Sequence, residues 1–166
     1  MEVPMTIDRS ALTELFRTTL STHRSEAATR SGLLSDGLRV GRWRSWRPDG
    51  TLLVEADYHR GHRHGVWTKW HPNGALAVRL PYRAGALAGS LEAWYADGGR
   101  ALSASTAAGA FDGPFRVWRP SGGLWALGRF DQGLLGQIRL APDHRRVAPL
   151  RAYPSPWRPS ELTLSP

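Results

Sequence analysis

Cysteine is absent from this sequence, which excludes disulfides and any zinc site built on thiolates. Lysine is almost absent too. Lys69 is the sole lysine among 22 basic residues, against 14 acidic ones, and the formal net charge is +8. An excess of arginine, alanine and glycine with one lysine is what a GC-rich genome writes throughout its proteins, so part of that charge is read as compositional. No stretch approaches the roughly 20 apolar residues that a membrane-spanning helix needs. The first residues lack a charged start followed by an apolar core, so a cytoplasmic protein is expected. Also missing are a nucleophile elbow and a glycine-rich loop leading from a strand into a helix. With no catalytic constellation, the expectation is a non-enzymatic protein without cofactor.

What is present is a period. Gly41, Gly65, Gly89 and Gly113 open four units of 24 residues; Trp46, Trp70, Trp94 and Trp118 sit five residues in, and Gly50, Gly74, Gly98 and Gly122 nine in. Gly61, Gly85, Gly109 and Gly133 close a fourth column twenty residues in. A fixed period of this length means stacked supersecondary units.

Each unit centres on a turn: Arg47-Pro48-Asp49-Gly50, His71-Pro72-Asn73-Gly74, Ala96-Asp97-Gly98 and Arg119-Pro120-Ser121-Gly122. Proline presets φ at the first corner, and Asp, Asn or Ser suits the second. Glycine takes the left-handed position that closes the turn, so φ is expected to be positive at all four glycines. After the turn the chain alternates, Leu52, Val54, Ala56, Tyr58 and then Leu76, Val78, Leu80, Tyr82, as a half-buried strand does. Each unit therefore reads as strand, tight turn, strand and glycine-containing return turn. At about 4.8 Å per strand, four units span roughly 40 Å.

A second apolar column, Trp43, Trp67, Leu91 and Phe115, lies three residues before the tryptophan column. In a regular strand the two face opposite ways. Either a bulge brings both to one side or the sheet has an apolar row on each face.

The pattern Gly-x-Trp-x-x-Trp-x-Pro-Asp/Asn-Gly-x-Leu, followed by Tyr-x-x-Gly-x-x-x-Gly, resembles the bacterial variant of the MORN repeat. The resemblance covers about residues 37–136, with unit three departing at Leu91, Arg100 and Thr106. It implies an all-β fold, a single-layer antiparallel β-hairpin repeat solenoid. It also implies an antitoxin- or immunity-like role, the one associated with the family of toxin–antitoxin antitoxins in which this repeat occurs.

The expected organisation is an N-terminal helical cap over 1–32, hairpin repeats over 33–141 and a Pro/Arg-rich tail over 142–166. In the cap, Ser10 precedes Leu12, Leu15, Phe16 and Leu20 at helical spacing, suited to covering the open edge of the first hairpin. Gly37 lies 24 residues before Gly61 and reads as the remnant of an earlier unit. Gln137 to Leu140 reads as a last strand, and Trp157 is expected to fold back on the sheet.

Three function classes compete. A protein partner, for instance a toxin, held on the sheet is the first. An anionic phospholipid surface, favoured by the basic charge, is the alternative. Arg39, Arg42, Arg44 and Arg47 interleave with Trp43 and Trp46 as nucleic-acid surfaces do, but the other units lack that density, so nucleic acid is disfavoured. The residues expected at a binding surface are Trp43, Arg44, Tyr58, Trp67, Tyr82 and Arg116. The ladder Trp46, Trp70, Trp94, Trp118 is expected in the core, with partner contacts on the opposite face and in the return turns; exposed, it would be a binding strip. His59, His62 and His64, with His71 nearby, are read as solvated turn residues and not as metal ligands.

Overall fold

The computed structural model describes residues 29–141. The expected helix around Ser10 to Leu20, and the tail with Trp157, lie outside that range. Among the described residues every regular element is a β-strand.

The strands are β1 Thr29–Ser35, β2 Leu38–Trp46, β3 Leu52–His59, β4 His62–Arg63, β5 Gly65–Trp70, β6 Leu76–Arg83, β7 Ala86–Leu87, β8 Gly89–Trp94, β9 Arg100–Ala107, β10 Ala110–Trp118, β11 Leu124–Asp131 and β12 Leu134–Leu140. They form one open antiparallel sheet in the order β1-β2-β3-β5-β6-β8-β9-β10-β11-β12, with β4 pairing β3 and β7 pairing β6. Neighbours in sequence are neighbours in space, as hairpins demand.

Two turn types alternate along the chain. At the mid-unit turn, Gly50 N–H donates to Arg47 O at 3.0 Å and Arg47 N–H donates to Thr51 O at 2.9 Å. His71/Gly74, Tyr95/Gly98 and Arg119/Gly122 repeat these bonds. All four glycines have positive φ, between +81° and +88°, the geometry of a type I turn closed by a glycine bulge. Asp49 accepts bonds from the Thr51 hydroxyl and backbone N–H at 2.7 and 2.8 Å. The Thr51 hydroxyl bond, then the backbone bond, holds its carboxyl below the ordinary range. The stabilisation this gives is present at neutral pH and is lost as pH falls through the lowered value.

The return turns are two-residue loops with both residues left-handed: Asp36-Gly37, Arg60-Gly61, Ala84-Gly85, Ala108-Gly109 and Gln132-Gly133. That is the type I′ hairpin, whose twist matches the flanking strands. Asp36-Gly37 repeats the geometry one unit early, so the degenerate unit read at Gly37 is a real hairpin of β1 and β2. Likewise β12 contains the last strand read at Gln137 to Leu140.

The faces follow from the register. Trp43 pairs with Ala56 and Ser45 with Val54; Trp67 pairs with Leu80 and Lys69 with Val78. Leu91 pairs with Ala104 and Ala93 with Leu102, and Phe115 pairs with Gly128 and Val117 with Ala126. Directly paired residues share a face, so these columns line one side of the sheet. On it, Trp67, Leu80, Leu91, Leu102 and Phe115 are at most 4% exposed and belong to one cluster. This is the core face.

The tryptophan ladder is elsewhere. In every unit the register shifts just before the ladder tryptophan, between Ser45/Trp46, Lys69/Trp70, Ala93/Trp94 and Val117/Trp118. The extra residue is on the partner strand: Leu53, Ala77, Ala101 and Trp125 fall between paired positions. The strand carrying the tryptophan keeps its alternation, so the ladder points away from the core face. Arg100 reports the same orientation: it meets Glu92 at 3.7 Å and lies 5.9 Å from the Trp118 ring centroid. Trp46, Trp70, Trp94 and Trp118 are all half-buried and none belongs to the buried cluster. The expectation that they form the core is therefore corrected. An apolar row runs on each face, and the column three residues earlier is the buried one at Trp67, Leu91 and Phe115, with Trp43 half-buried.

Neighbouring units are joined by side chains as well as strands. Arg47 Nη2 donates to Trp70 O at 2.6 Å, His71 Nε2 to Trp94 O at 2.8 Å and Tyr95 Oη to Trp118 O at 2.8 Å. One column of donors thus reaches one unit forward to the ladder carbonyl. His71 is 5% exposed. Since a carbonyl only accepts, the imidazole carries its proton on Nε2. His71→Ala strands that carbonyl and should lower the unfolding free energy by about 1–3 kcal/mol, while His71→Gln, which keeps a donor, recovers part of the loss in denaturant titration.

Candidate functional site

The core face changes character along its length. In the column two residues before each unit opens stand Arg39, Arg63, Leu87 and Phe111. Toward the C-terminal end this column seals the face: Phe111 stacks on Phe130 at 5.0 Å and Phe115 meets Phe130 at 5.2 Å. Toward the N-terminal end two arginines stand in the same place, and they build a ladder.

The Arg39 guanidinium lies 4.7 Å from the Trp43 ring centroid and 5.3 Å from that of Tyr58. Its Nη1 donates to the Tyr58 hydroxyl at 3.2 Å. One unit on, Arg63 lies 5.9 Å from Trp67 and 5.2 Å from Tyr82, and its Nη1 donates to the Tyr82 hydroxyl at 3.0 Å. Trp43 and Tyr58 meet edge to face at 6.4 Å. Burial works against the charge on Arg63, but the Tyr82 and Tyr58 hydroxyls outweigh it and hold the guanidinium above its ordinary range. Arg63 therefore stays a cation at any physiological pH. Guanidinium suits this place because its flat face stacks on aromatic rings while its edge donates.

Arginine cannot fill this space as Leu87 and Phe111 do. Beside the ladder is a cavity of about 620 Å³ lined by Arg30, Arg39, Arg63, Trp43, Tyr58 and Trp67, with Leu53, Val54 and Ala56 among the apolar residues at its wall. Among the described residues its lining holds no carboxylate. The size is that of a pocket for a small molecule or a few side chains.

The six residues expected at a binding surface divide between the faces. Trp43, Tyr58, Trp67 and Tyr82 stand together on the core face, and all but Tyr82 line the cavity. Arg44 and Arg116 alternate with core-face residues and so occupy the opposite face. There Arg44 meets Glu55 at 2.7 Å, and Arg42 meets Asp57 at 3.4 Å and Glu55 at 3.7 Å. The arginine density of the first unit is thus partly balanced by the two acids directly across the sheet. Exposed pairs of this kind add about 0.2–1 kcal/mol each. Of the two ladder arginines at the pocket, Arg63 is not marked by the sequence reading, and Arg39 enters it only with the basic run weighed for nucleic acid. Their signal was the 24-residue column itself, which changes from arginine to apolar at Leu87.

His59, His62 and His64 are exposed, and the His59 and His64 rings lie 6.1 Å apart. His71 is away from them in the donor column. Among the described residues no three His, Asp or Glu side chains converge, and no helix is long and apolar enough to cross a membrane.

No family model matches the chain, and no curated protein matches it. Among solved structures, TarM is similar to 80% of this chain at 11% identity and a TM-score of 0.40. A second TarM structure, from S. aureus in complex with fondaparinux, alpha-GlcNAc-glycerol and UDP, is similar to 76% of it at 8% identity and a TM-score of 0.40. The chain spans about a quarter of the TarM chains, 25% and 23% respectively. At that level of likeness nothing about activity transfers.

Proposed function

We propose that this is a non-enzymatic binding protein, a stack of MORN-like 24-residue hairpin repeats that holds a protein partner in an antitoxin- or immunity-like role. The partner sits on the core face at its N-terminal end, where among the described residues the arginine–aromatic ladder leaves the sheet unsealed. The observation that carries this reading is the contrast within one column: Leu87 and Phe111 close the face, whereas Arg39 and Arg63 open a cavity beside them. Aromatic and arginine side chains clustered in a pocket are the usual anchors of protein interfaces. Repeats that differ only where one face must bind are a familiar use of stacked architectures.

The test is affinity purification of the full chain from its native cell, beside the variant Tyr58→Ala. A discrete protein retained by the wild type and lost by the variant supports the reading. Retention of no protein, together with salt-sensitive binding to anionic vesicles, would replace it with a membrane-associated scaffold.

A further inference from the structure

We propose that the cavity beside Arg39 and Arg63 is an anion subsite that takes an acidic side chain of the partner, with an apolar neighbour seated against the aromatic wall. This rests on the protein-binding reading above and names the chemistry of its contact.

The positive charge at the cavity is built in. Arg39 is fixed from two sides, by the Trp43 and Tyr58 rings, and directs one N–H to the Tyr58 hydroxyl. A guanidinium has five donors in a planar fork, so the stacking that fixes Arg39 leaves its edge able to meet a carboxylate. Arg63 repeats the stacking one unit along and bonds to the Tyr82 and Tyr58 hydroxyls, and Arg30 also lines the cavity. Fixed guanidiniums at an apolar wall suit a carboxylate, because charge-assisted bonds strengthen as water is excluded.

The aromatic groups favour an acidic peptide over a nucleotide. Stacking a base needs an open ring face. Trp67 is only 4% exposed. Trp43 carries Arg39 on its ring, lies so close to Gly32 that a Cβ there would meet the ring at 2.2 Å, and donates Nε1–H to Leu33 O at 3.0 Å. These rings are committed to structure. They offer walls for aliphatic groups and not platforms for bases. A cavity of about 620 Å³ also exceeds what a lone phosphate fills.

The experiment uses the full chain and a fluorescent short peptide alternating glutamate with leucine, read by anisotropy, beside the same peptide with glutamine for glutamate. The glutamate peptide should bind at least about tenfold more tightly, the scale of one charge-assisted hydrogen bond. Arg39→Gln and Arg63→Gln should each weaken it by about tenfold, and added salt should weaken it further. Arg79→Gln, exposed on the opposite face, should leave binding unchanged. Unfolding midpoints check that each variant is folded, and Arg39→Lys provides a milder change should Arg63→Gln not fold.

Equal binding of the two peptides overturns the proposal. So does binding of a mononucleotide or anionic vesicles at concentrations where the glutamate peptide does not bind. The two levels fail separately. A native partner retained equally by wild type and Arg39→Gln removes the subsite and leaves the protein-binding reading standing. Peptide binding that depends on Arg39, with no protein retained from the cell, keeps the subsite and removes that reading.

Discussion

Trp67→Ala is expected to lower the unfolding free energy by about 3–5 kcal/mol, the range for truncating a buried aromatic side chain. Trp70→Ala, three residues away in the same strand, should cost less than half as much. Both are tryptophans of the same interior unit. They differ in the face they occupy: Trp67 is 4% exposed within the cluster that contains Leu80 and Leu91, whereas Trp70 is half-buried and outside it. A stack of hairpins has no core except what neighbouring units bury together. The loss at Trp67 is therefore a large share of a net stability of roughly 5–15 kcal/mol. Denaturant titration measures both, and an unchanged slope confirms that the same surface is exposed on unfolding. Equal costs, or a greater cost at Trp70, would contradict the assignment of the faces.

Gly113→Ala is the second large effect, and Gly122→Ala separates its causes. Gly122 has φ +85° and nothing within 4 Å of an added Cβ. Its substitution carries the backbone penalty alone, about 1–2 kcal/mol. Gly113 has φ +107°, and a Cβ there would lie 3.0 Å from Ser105 Cβ on the neighbouring strand. To the backbone cost is added overpacking of about 1–3 kcal/mol. Gly113 opens its unit opposite Phe130, where the strand must pass close to β9. Thermal or denaturant unfolding should rank Gly113→Ala clearly below Gly122→Ala. Indistinguishable stabilities would mean that the close approach to Ser105 relaxes freely.

Most of the hairpin architecture was legible, because the turns are written in residues with one physical use. Pro-Asp-Gly and its variants specify a turn with a left-handed fourth residue, and a 24-residue spacing fixes where each unit stacks. The bulge was not legible. The row Leu52, Val54, Ala56, Tyr58 reads as plain alternation, yet Leu53 lies unpaired between Leu52 and Val54 and is the residue buried to 1% exposure. Alternation carried through an extra residue misplaces everything before it. Because the extra residue is on the partner strand, the tryptophan strand keeps its alternation. Spacing showed that Trp43 and Trp46 face apart in a regular strand, but which row is buried depends on the strand across the sheet. Trp43, Tyr58, Trp67 and Tyr82 were found as aromatics at fixed positions. Arg39 reads in the sequence only as part of the basic–aromatic run weighed for nucleic acid, and Arg63 does not stand out at all, because the return turn reads as a connection, whereas its second arm stands against the core face beside the aromatic rings.

Hydroxyl-radical footprinting resolved at single tryptophans, on the free protein and on the complex purified from its native cell, tests the placement of the binding face most directly. In the free protein Trp67 should be protected, while Trp43 and the ladder of Trp46, Trp70, Trp94 and Trp118 react. In the complex Trp43 should lose its reactivity and the ladder should keep it. Protection of the ladder with Trp43 unchanged would put the partner on the opposite face and contradict the account.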